Sequence, residues 1–389
     1  MAYVTCCFRK ECVCVVGKPR IATFTTKDET VPDAEFVIVG YDAARLRLAD
    51  LSAVPWDVVV VDEAARIKNR KAKRTKAVWK LAHKSDYLWL LSGTPVQNRP
   101  DELWSLLHAI DPRRWSSYWR FVERHCEVVH HFFGTRVGRI KDKNAFAAEV
   151  APVMLRRTRE LLNLPPLTEE TIYVELADEQ ARVYDEMEAN FVAALGDDYI
   201  VAPSILAQIT RLRQIACSPA LVGGADVSAK TEALLELLED TAKVLVFTTF
   251  AGYVDLLLPR LSPYNPVVVT GGVSTKQRDE ATRTFQTDDN CRVLIGTTEA
   301  MSEGLNLQAA NVVVFLDLSW TPAAIDQAIG RACRRGQTKP VHVVKLVAAH
   351  TVDEDIAKLL ARKRGVIRDV EAVTAIVRGT LERTKGGKD

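Results

Sequence analysis

Residues 58–63 read Val-Val-Val-Val-Asp-Glu, and this stretch decides the fold class. A short run of β-branched residues without polar alternation is typical of a strand buried on both faces of a parallel sheet. In open α/β sheets, ligands bind at the carboxyl ends of the strands, and Asp62 and Glu63 follow at such an end. The sequence therefore predicts an α/β fold with two acids at the functional edge of its sheet. Two solvated acids that open a helix are the alternative interpretation.

A buried strand that ends in Asp-Glu also has the Walker B arrangement of nucleotide hydrolases. In that arrangement the aspartate holds Mg²⁺, directly or through water, and the glutamate polarises the attacking water. We therefore predict that Asp62 is a magnesium ligand and that Glu63 is catalytic.

Residues 90–95, Leu-Leu-Ser-Gly-Thr-Pro, form a second apolar run that ends in hydroxyl side chains. Short hydroxyls at a strand end can relay the state of a phosphate site to the rest of the protein, which indicates roles for Ser92 and Thr94. The alternative is an ordinary exit from a strand into a turn, which Gly93 and Pro95 mark in any case.

Residues 327–337 read Gln-Ala-Ile-Gly-Arg-Ala-Cys-Arg-Arg-Gly-Gln. Their spacing predicts a helix that carries Gln327, Arg331 and Arg334 on one face. Guanidinium groups suit phosphate because their donors form a rigid planar fork, and an arginine finger stabilises charge on a transferring phosphoryl group. We therefore predict catalytic roles for both arginines. A basic surface helix is the alternative.

Eight segments, in the same order along the chain, resemble the motifs of the Swi/Snf-related branch of superfamily-two helicases. Members of this branch are double-stranded DNA translocases and chromatin-remodelling motors. The segment Leu-Ser-Gly-Thr-Pro-Val-Gln-Asn is highly specific to it, and Asp-Glu-Ala-Ala-Arg-Ile-Lys-Asn resembles its DEAH-type motif. The matching segments are residues 39–42, 62–69, 91–98, 154–159 with 164–166, 211–219, 243–250, 303–307 and 327–337.

The resemblance implies two RecA-like lobes with mostly parallel sheets, joined by helical insertions. It also implies ATP and Mg²⁺ as cofactors and double-stranded DNA as a partner. Asp62, Glu63, Arg331 and Arg334 would be the catalytic residues. The residues that would bind the nucleotide or couple it to movement are Ser92, Thr94, Gln97, Gly304 and Gln327.

Nucleic-acid contacts are predicted in both halves of the chain. Residues 66–80 carry eight lysines and arginines and no acid, directly after the acidic motif. Hydroxyls and helix amino termini that follow strands in the second half suit backbone phosphates. The predicted residues are Lys68, Asn69, Thr248, Thr249, Arg278, Thr297, Thr298 and Trp320. The alternatives are a solvated basic face and, for Trp320, packing beneath the arginine helix.

The sequence departs from the family in one important way. The phosphate-binding loop Gly-x-x-x-x-Gly-Lys-Ser/Thr does not occur in it. A lesser departure is Ala65, which replaces the usual histidine. The loop supplies N–H groups and a lysine for the phosphates. We therefore expect a truncated first lobe and an incomplete motor that needs a polypeptide bearing the Walker A loop. The alternative is a non-catalytic DNA-binding or scaffold remnant, which retention of the acids and arginines disfavours.

The order of predicted elements divides the chain into four regions. Strands are expected at 12–16, 36–39, 58–61 and 87–91 in the first lobe, and at 243–248, 266–270, 292–296, 312–316 and 341–347 in the second. The regions are residues 1–110 (partial first lobe), 111–227 (helical insertions and inter-lobe joint), 228–350 (second lobe) and 351–389 (helix and polar tail).

The composition excludes several classes of protein. The 389 residues are 48% hydrophobic and 26% charged, with a net charge of +2, so DNA contact must come from local patches. No apolar run approaches the roughly 20 residues that span a bilayer, and the amino terminus lacks a signal pattern. Eight cysteines in this length argue against a secreted disulfide scaffold. We expect an intracellular protein without membrane contact.

Overall fold

The computed structural model describes residues 3–7, 19–93, 95–96, 99–131, 134–155, 164–195, 198–301 and 304–364. The chain divides into two compact units, Met1–Arg157 with Lys363–Asp389, and Thr158–Arg362. The boundary falls inside the range predicted for the insertions, so each unit contains part of that range.

The first unit contains a five-stranded sheet in the order β2-β3-β1-β4-β5 and a separate hairpin of β6 and β7. Its strands are β1 (Tyr3–Cys7), β2 (Ile21–Phe24), β3 (Phe36–Gly40), β4 (Val58–Val61), β5 (Tyr87–Leu90), β6 (Cys126–His131) and β7 (Gly134–Ile140). Its helices are α1 (Tyr41–Leu46), α2 (Leu48–Ala53), α3 (Lys73–Ala82), α4 (Glu102–Ile110), α5 (Tyr118–His125) and α6 (Lys143–Val150).

The valine run at 58–61 is the strand that the sequence predicts. Val59 and Val61 are fully buried, and β4 pairs with β5 in parallel. Strand β1 runs antiparallel to both of its neighbours, β3 and β4. The sheet is therefore mixed, with parallel pairs on either side of β1. The strand predicted at 12–16 lies outside the described residues.

The second unit is built on a six-stranded parallel sheet in the order β12-β13-β11-β14-β15-β8. Its strands are β8 (Leu167–Val174), β9 (Val192–Leu195), β10 (Asp198–Val201), β11 (Val244–Thr248), β12 (Val267–Val269), β13 (Val293–Thr297), β14 (Val312–Phe315) and β15 (Val341–Ala348). Its helices are α7 (Asp178–Asn190), α8 (Ile205–Cys217), α9 (Ala229–Glu239), α10 (Ala251–Leu261), α11 (Thr275–Thr287), α12 (Thr298–Met301) and α13 (Pro322–Ala332), and residues 352–362 are also helical.

The predicted α/β class with mostly parallel sheets is confirmed. Residues 111–227, predicted as helical insertions and an inter-lobe joint, contain strands as well as helices. Two antiparallel hairpins lie in that range, β6–β7 and β9–β10. Strand β8 also lies there, and it joins the edge of the second sheet. In the part of the chain that the structure describes, no helix is long and apolar enough to cross a membrane.

Gly296 in β13 lies too close to the neighbouring strand to tolerate a side chain. A Cβ atom there would collide with the backbone carbonyl of Val269 and lie 2.8 Å from the sulfur of Met301. We expect Gly296→Ala to lower the free energy of unfolding by about 2–3 kcal/mol, because overpacking forces backbone shifts. Urea unfolding followed by circular dichroism measures this loss.

Gly272→Ala is the matched control, because a Cβ atom there would have no atom within 4 Å. We expect that variant to stay within about 0.5 kcal/mol of the unmodified chain. Equal stabilities of the two variants would show that the β12–β13 contact is not as close as described.

Candidate functional site

The first candidate site lies where β4 and β5 end side by side. The N–H of Leu91 donates to the carbonyl of Val61 at 2.9 Å, and the N–H of Ala64 donates to the carbonyl of Leu91 at 2.8 Å. These two hydrogen bonds continue the pairing of β4 with β5 beyond the last residue of each strand. Asp62 and Ser92 therefore leave neighbouring parallel strands at the same edge of the sheet.

The turn that carries Glu63 has an unusual backbone. Glu63 has φ 49° and ψ 50°, in the left-handed region that side-chain-bearing residues seldom adopt. Its N–H donates to Oδ1 of Asp62 at 2.9 Å, and the hydroxyl of Tyr41 donates to the carbonyl of Asp62 at 2.7 Å. Burial raises the pKa of Tyr41 above its usual range, so the phenol remains a hydrogen-bond donor. The sequence does not predict that Tyr41 holds this turn. It shows only that Tyr41 belongs to the segment 39–42, which resembles a family motif.

The strain at Glu63 can be measured with two variants that both remove the carboxylate. We expect Glu63→Gly to be more stable than Glu63→Ala by about 1 kcal/mol, because the left-handed conformation disfavours only a residue with a Cβ atom. Urea unfolding of the two variants gives this difference directly.

The control is Lys76, an exposed position in α3. There the order should be reversed, with glycine less stable than alanine by about 1 kcal/mol. If Glu63→Gly is no more stable than Glu63→Ala, the turn is not strained in solution.

The exposed carboxylate of Asp62 suits Mg²⁺, which prefers hard oxygen ligands. Among the described residues, no cluster of three or more His, Cys, Asp or Glu side chains could hold a metal. Magnesium commonly binds through one or two carboxylates together with substrate phosphates. Asp62, with Ser92 just past the end of the neighbouring strand β5, fits that mode of binding.

The two residues predicted to contact nucleic acid in this unit have partners inside the protein. Nζ of Lys68 lies 3.5 Å from Oε1 of Glu102, and Oδ1 of Asn69 accepts a hydrogen bond from the N–H of Lys71 at 3.0 Å. Both residues thus stabilise the segment that follows the acidic turn, the turn formed by Asp62 and Glu63. Their contact with nucleic acid stays a prediction. Thr94 and Gln97, predicted to couple the lobes, lie outside the described residues.

The second candidate site is at the end of α13. Gln327 and Arg331 lie one turn apart on this helix, and a guanidinium nitrogen of Arg331 donates to the carbonyl of Leu305 at 3.3 Å. The helix ends at Ala332, so Arg334 lies in the turn that follows and is exposed. The prediction that both arginines share one helix face is therefore wrong.

Two glycines shape the loops around α13. Gly304, which the sequence analysis selected, has φ 71°, and Gly336 has φ 102°. Both values lie in the left-handed region, where glycine carries no penalty. The side-chain amide of Gln337 then donates to the carbonyls of Gln308 and Ala310 at 2.9 Å. Gln337, the last residue of the motif at 327–337, thus fixes the turn that carries Arg334.

The threonines predicted to bind nucleic acid surround an acid that sequence reasoning missed. Asp317 follows β14 and is almost fully buried. Thr248 and Thr249, at the end of β11, both donate their hydroxyls to its carboxylate. The hydroxyl of Thr298 donates to the carbonyl of Thr248 at 3.3 Å.

Thr248 and Thr298 are both buried, so in this conformation the hydroxyl of Thr248 supports Asp317 rather than facing solvent. Thr297 lies opposite Thr248 in the strand register and is half-buried. Asp317 could have been found by the signal that identified Asp62, since an acid follows a buried valine run in both places.

The two remaining predicted residues differ in their surroundings. Arg278 is half-buried in the first turn of α11, and its Nε has no hydrogen-bond partner among the described residues. Trp320 is 40% exposed, and the guanidinium carbon of Arg213 lies 5.0 Å from its ring centroid. The structure brings Thr248, Thr249, Thr298 and Trp320 into one network through Asp317 and Arg213.

Comparison with known proteins identifies the family. Residues 9–221 match the SNF2-related domain, and residues 229–336 match the helicase conserved C-terminal domain. The chain belongs to the SNF2-related family. The resemblance noted from the motifs is thereby confirmed for more than half of the sequence. The turn at Asp62 and Glu63 falls within the first matched region and α13 within the second.

Individual relatives cover most of this SNF2-related chain. YwqA of Bacillus subtilis (strain 168), provisionally named an ATP-dependent helicase/translocase, is 31% identical over 85% of this chain and 37% of its own length. ZRANB3 of Bos taurus, named a DNA annealing helicase and endonuclease, is 29% identical over 86% of this chain and 32% of its own length. The chain thus spans about a third of the length of these two relatives.

A solved structure also matches, the Sulfolobus solfataricus SWI2/SNF2 ATPase core in complex with double-stranded DNA. It is 28% identical to this SNF2-related chain, with a TM-score of 0.42, and the match covers 94% of this chain and 80% of that one.

Proposed function

We propose that this chain is an ATP-driven motor segment that moves on double-stranded DNA. The observation that carries the proposal is the acidic turn, in which Asp62 and Glu63 end a buried parallel strand beside Ser92. Asp62 would hold Mg²⁺ together with the nucleotide phosphates, and Glu63 would orient the attacking water and accept its proton. Membership of a family of ATP-dependent helicases, one of whose members is named a DNA annealing helicase, supports this reading.

Arg331 and Arg334 would stabilise charge on the γ-phosphate. They differ in how cleanly they can be tested. The guanidinium of Arg331 also donates to the carbonyl of Leu305, so its removal disturbs the fold as well. Arg334 is exposed and lies beyond the helix, so Arg334→Ala is the better probe of catalysis.

The phosphate-binding loop would come from outside these 389 residues. In the sheet formed by the described residues, β5 is an edge strand, and its Tyr87 and Trp89 are 65% and 56% exposed. Exposed apolar side chains at a strand edge favour packing against a further segment. A strand added parallel to β5 would end beside Asp62 and Ser92, where a phosphate-binding loop must lie to act with them.

The experiment is the rate of ATP hydrolysis with and without duplex DNA, for the chain alone and mixed with the polypeptide encoded immediately upstream. We expect DNA-stimulated turnover in the mixture and little in the chain alone. Turnover by the chain alone would refute the external loop but keep the ATPase proposal. An intracellular location follows from DNA being the substrate.

A non-catalytic DNA-binding or scaffold protein is the second candidate, and the lack of a Walker A sequence within the 389 residues favours it. It predicts duplex binding with no turnover in either assay. The same experiment therefore separates the two functions.

A further inference from the structure

A buried arginine with no part in the proposed chemistry lies against Trp320. Arg213 is on α8 and is only 6% exposed. Its Nη2 donates to the carbonyl of Leu318 at 2.8 Å and lies 3.2 Å from Oδ1 of Asp317. A buried charge needs such partners, because it has lost its contact with water.

The guanidinium also packs on two aromatic rings. Its carbon lies 5.0 Å from the centroid of Trp320 and 5.3 Å from the centroid of Phe250. Both distances are within the range in which a ring face attracts a cation. Trp320 is therefore held by Arg213 on one side while 40% of its surface remains accessible to solvent.

Arg213 is itself held in place, because its partner Asp317 belongs to a larger hydrogen-bond network. The carboxylate of Asp317 accepts hydrogen bonds from the hydroxyls of Thr248 and Thr249 and from the N–H of Thr249 at 2.9 Å. Nη2 of Arg213 also donates to the hydroxyl of Thr249 at 3.3 Å. The network joins the ends of β11 and β14 to α8, so the guanidinium has little freedom to move.

We propose that Arg213 is a positioning residue that fixes the indole of Trp320 in one orientation, so that its exposed part contacts duplex DNA. The buried guanidinium itself does not touch DNA. The proposal rests on the proposed function, since it needs nucleic acid to bind near Trp320. Lysine cannot replace Arg213 in this role, because an ammonium group lacks the planar face that stacks on the aromatic rings.

The orientation of the indole can be tested without DNA. Trp320 is the only tryptophan between Thr158 and Arg362, and the other six are at positions 56, 79, 89, 104, 115 and 119. The full chain labelled with 5-fluorotryptophan should give seven fluorine resonances, of which Trp320→Phe removes one. In Arg213→Lys we expect that resonance to move and its solvent-isotope shift to increase, while the other six stay in place.

Arg211→Lys is the matched control, because Arg211 is on the same helix and donates to Gln214 rather than to the network. An unchanged Trp320 resonance in Arg213→Lys would overturn the proposal. If all seven resonances move, Arg213→Gln replaces it as the variant, because it removes the guanidinium and keeps a neutral polar side chain at this position. An unchanged Trp320 resonance in Arg213→Gln would then overturn the proposal.

Binding to duplex DNA tests the consequence. We expect Arg213→Lys to raise the Kd about five-fold, a change in the range of a lost cation–π contact, and Trp320→Ala to raise it at least as much. The double variant should bind no more weakly than Trp320→Ala, because both changes remove the same contact.

Additive losses in the double variant would overturn the positioning role. Normal binding by Trp320→Ala would refute only the DNA contact of Trp320. Absence of binding by the unmodified chain would refute the proposed function, and the fluorine spectra would still decide whether Arg213 holds the indole.

Discussion

Replacing Glu63 with glutamine is expected to reduce DNA-stimulated ATP turnover by at least about 100-fold, which is the lower range for loss of a general base. Glutamine has the shape of glutamate and the same Cβ substitution, so the left-handed turn and its hydrogen bond to Asp62 should persist. The amide cannot accept the proton of the attacking water. The loss should therefore be in kcat, with the Kd for duplex DNA unchanged within about two-fold.

The measurement uses the chain mixed with the polypeptide encoded immediately upstream. We determine kcat and KM for ATP hydrolysis by each variant in the presence of duplex DNA. Glu29→Gln is the control, because Glu29 is an exposed acid in the loop between β2 and β3 of the same unit. We expect that variant to keep full activity. If Glu63→Gln retains more than about a tenth of the rate, Glu63 is not the base.

Removing the buried positive charge of Lys230 should have the largest effect on stability. Lys230 is fully buried, and its Nζ donates to the carbonyl of Leu316 at 2.8 Å and to the carboxylate of Asp353. Burial opposes its charge, but the carboxylate of Asp353 raises the pKa of Lys230 above the usual range overall, so the lysine stays charged at neutral pH. We expect Lys230→Met to lower the free energy of unfolding by about 3–5 kcal/mol, because Asp353 is left as an unpaired buried charge.

Two further variants separate this explanation from simple loss of packing. Lys230→Met combined with Asp353→Leu should recover most of the loss, since no buried charge remains. Lys358→Met removes an exposed ion pair with Glu354 and should cost no more than about 0.5 kcal/mol. Urea unfolding of all three variants measures these differences. A double variant as unstable as Lys230→Met would show that the loss does not come from an unpaired charge on Asp353.

The sequence allowed prediction of those elements whose stability comes from burial of their own side chains. Strands β4 and β14 are apolar throughout, and β11 is apolar up to its last residue, Thr248, so their pattern alone indicates central strands. Strand β8 has the sequence Leu-Thr-Glu-Glu-Thr-Ile-Tyr-Val and is largely exposed, so no such pattern marks it. Cross-strand pairs hold it instead, among them Glu169 with Lys345 and Glu170 with His342.

The candidate sites were likewise predictable only where local sequence determines the position of a residue. Asp62 and Glu63 were identified because chemistry at a strand end depends on local sequence. The position of Arg334 was not, because the helix stops at Ala332, while the turn that follows depends on Gly336 and on contacts of Gln337 with residues more than twenty positions earlier. Arg213 was missed for the same reason, since its partners lie about 36 and 104 positions away in the chain.

The pairing of β8 with β15 has a mechanical consequence. The chain enters the second unit just before β8 and leaves it after β15, and the two strands run parallel over eight residue pairs. Tension applied to the two chain ends would therefore pull these strands past each other along their length. All the hydrogen bonds between them would resist together, rather than opening one by one as in a zipper. This edge of the sheet is suited to transmit force through the chain without unfolding.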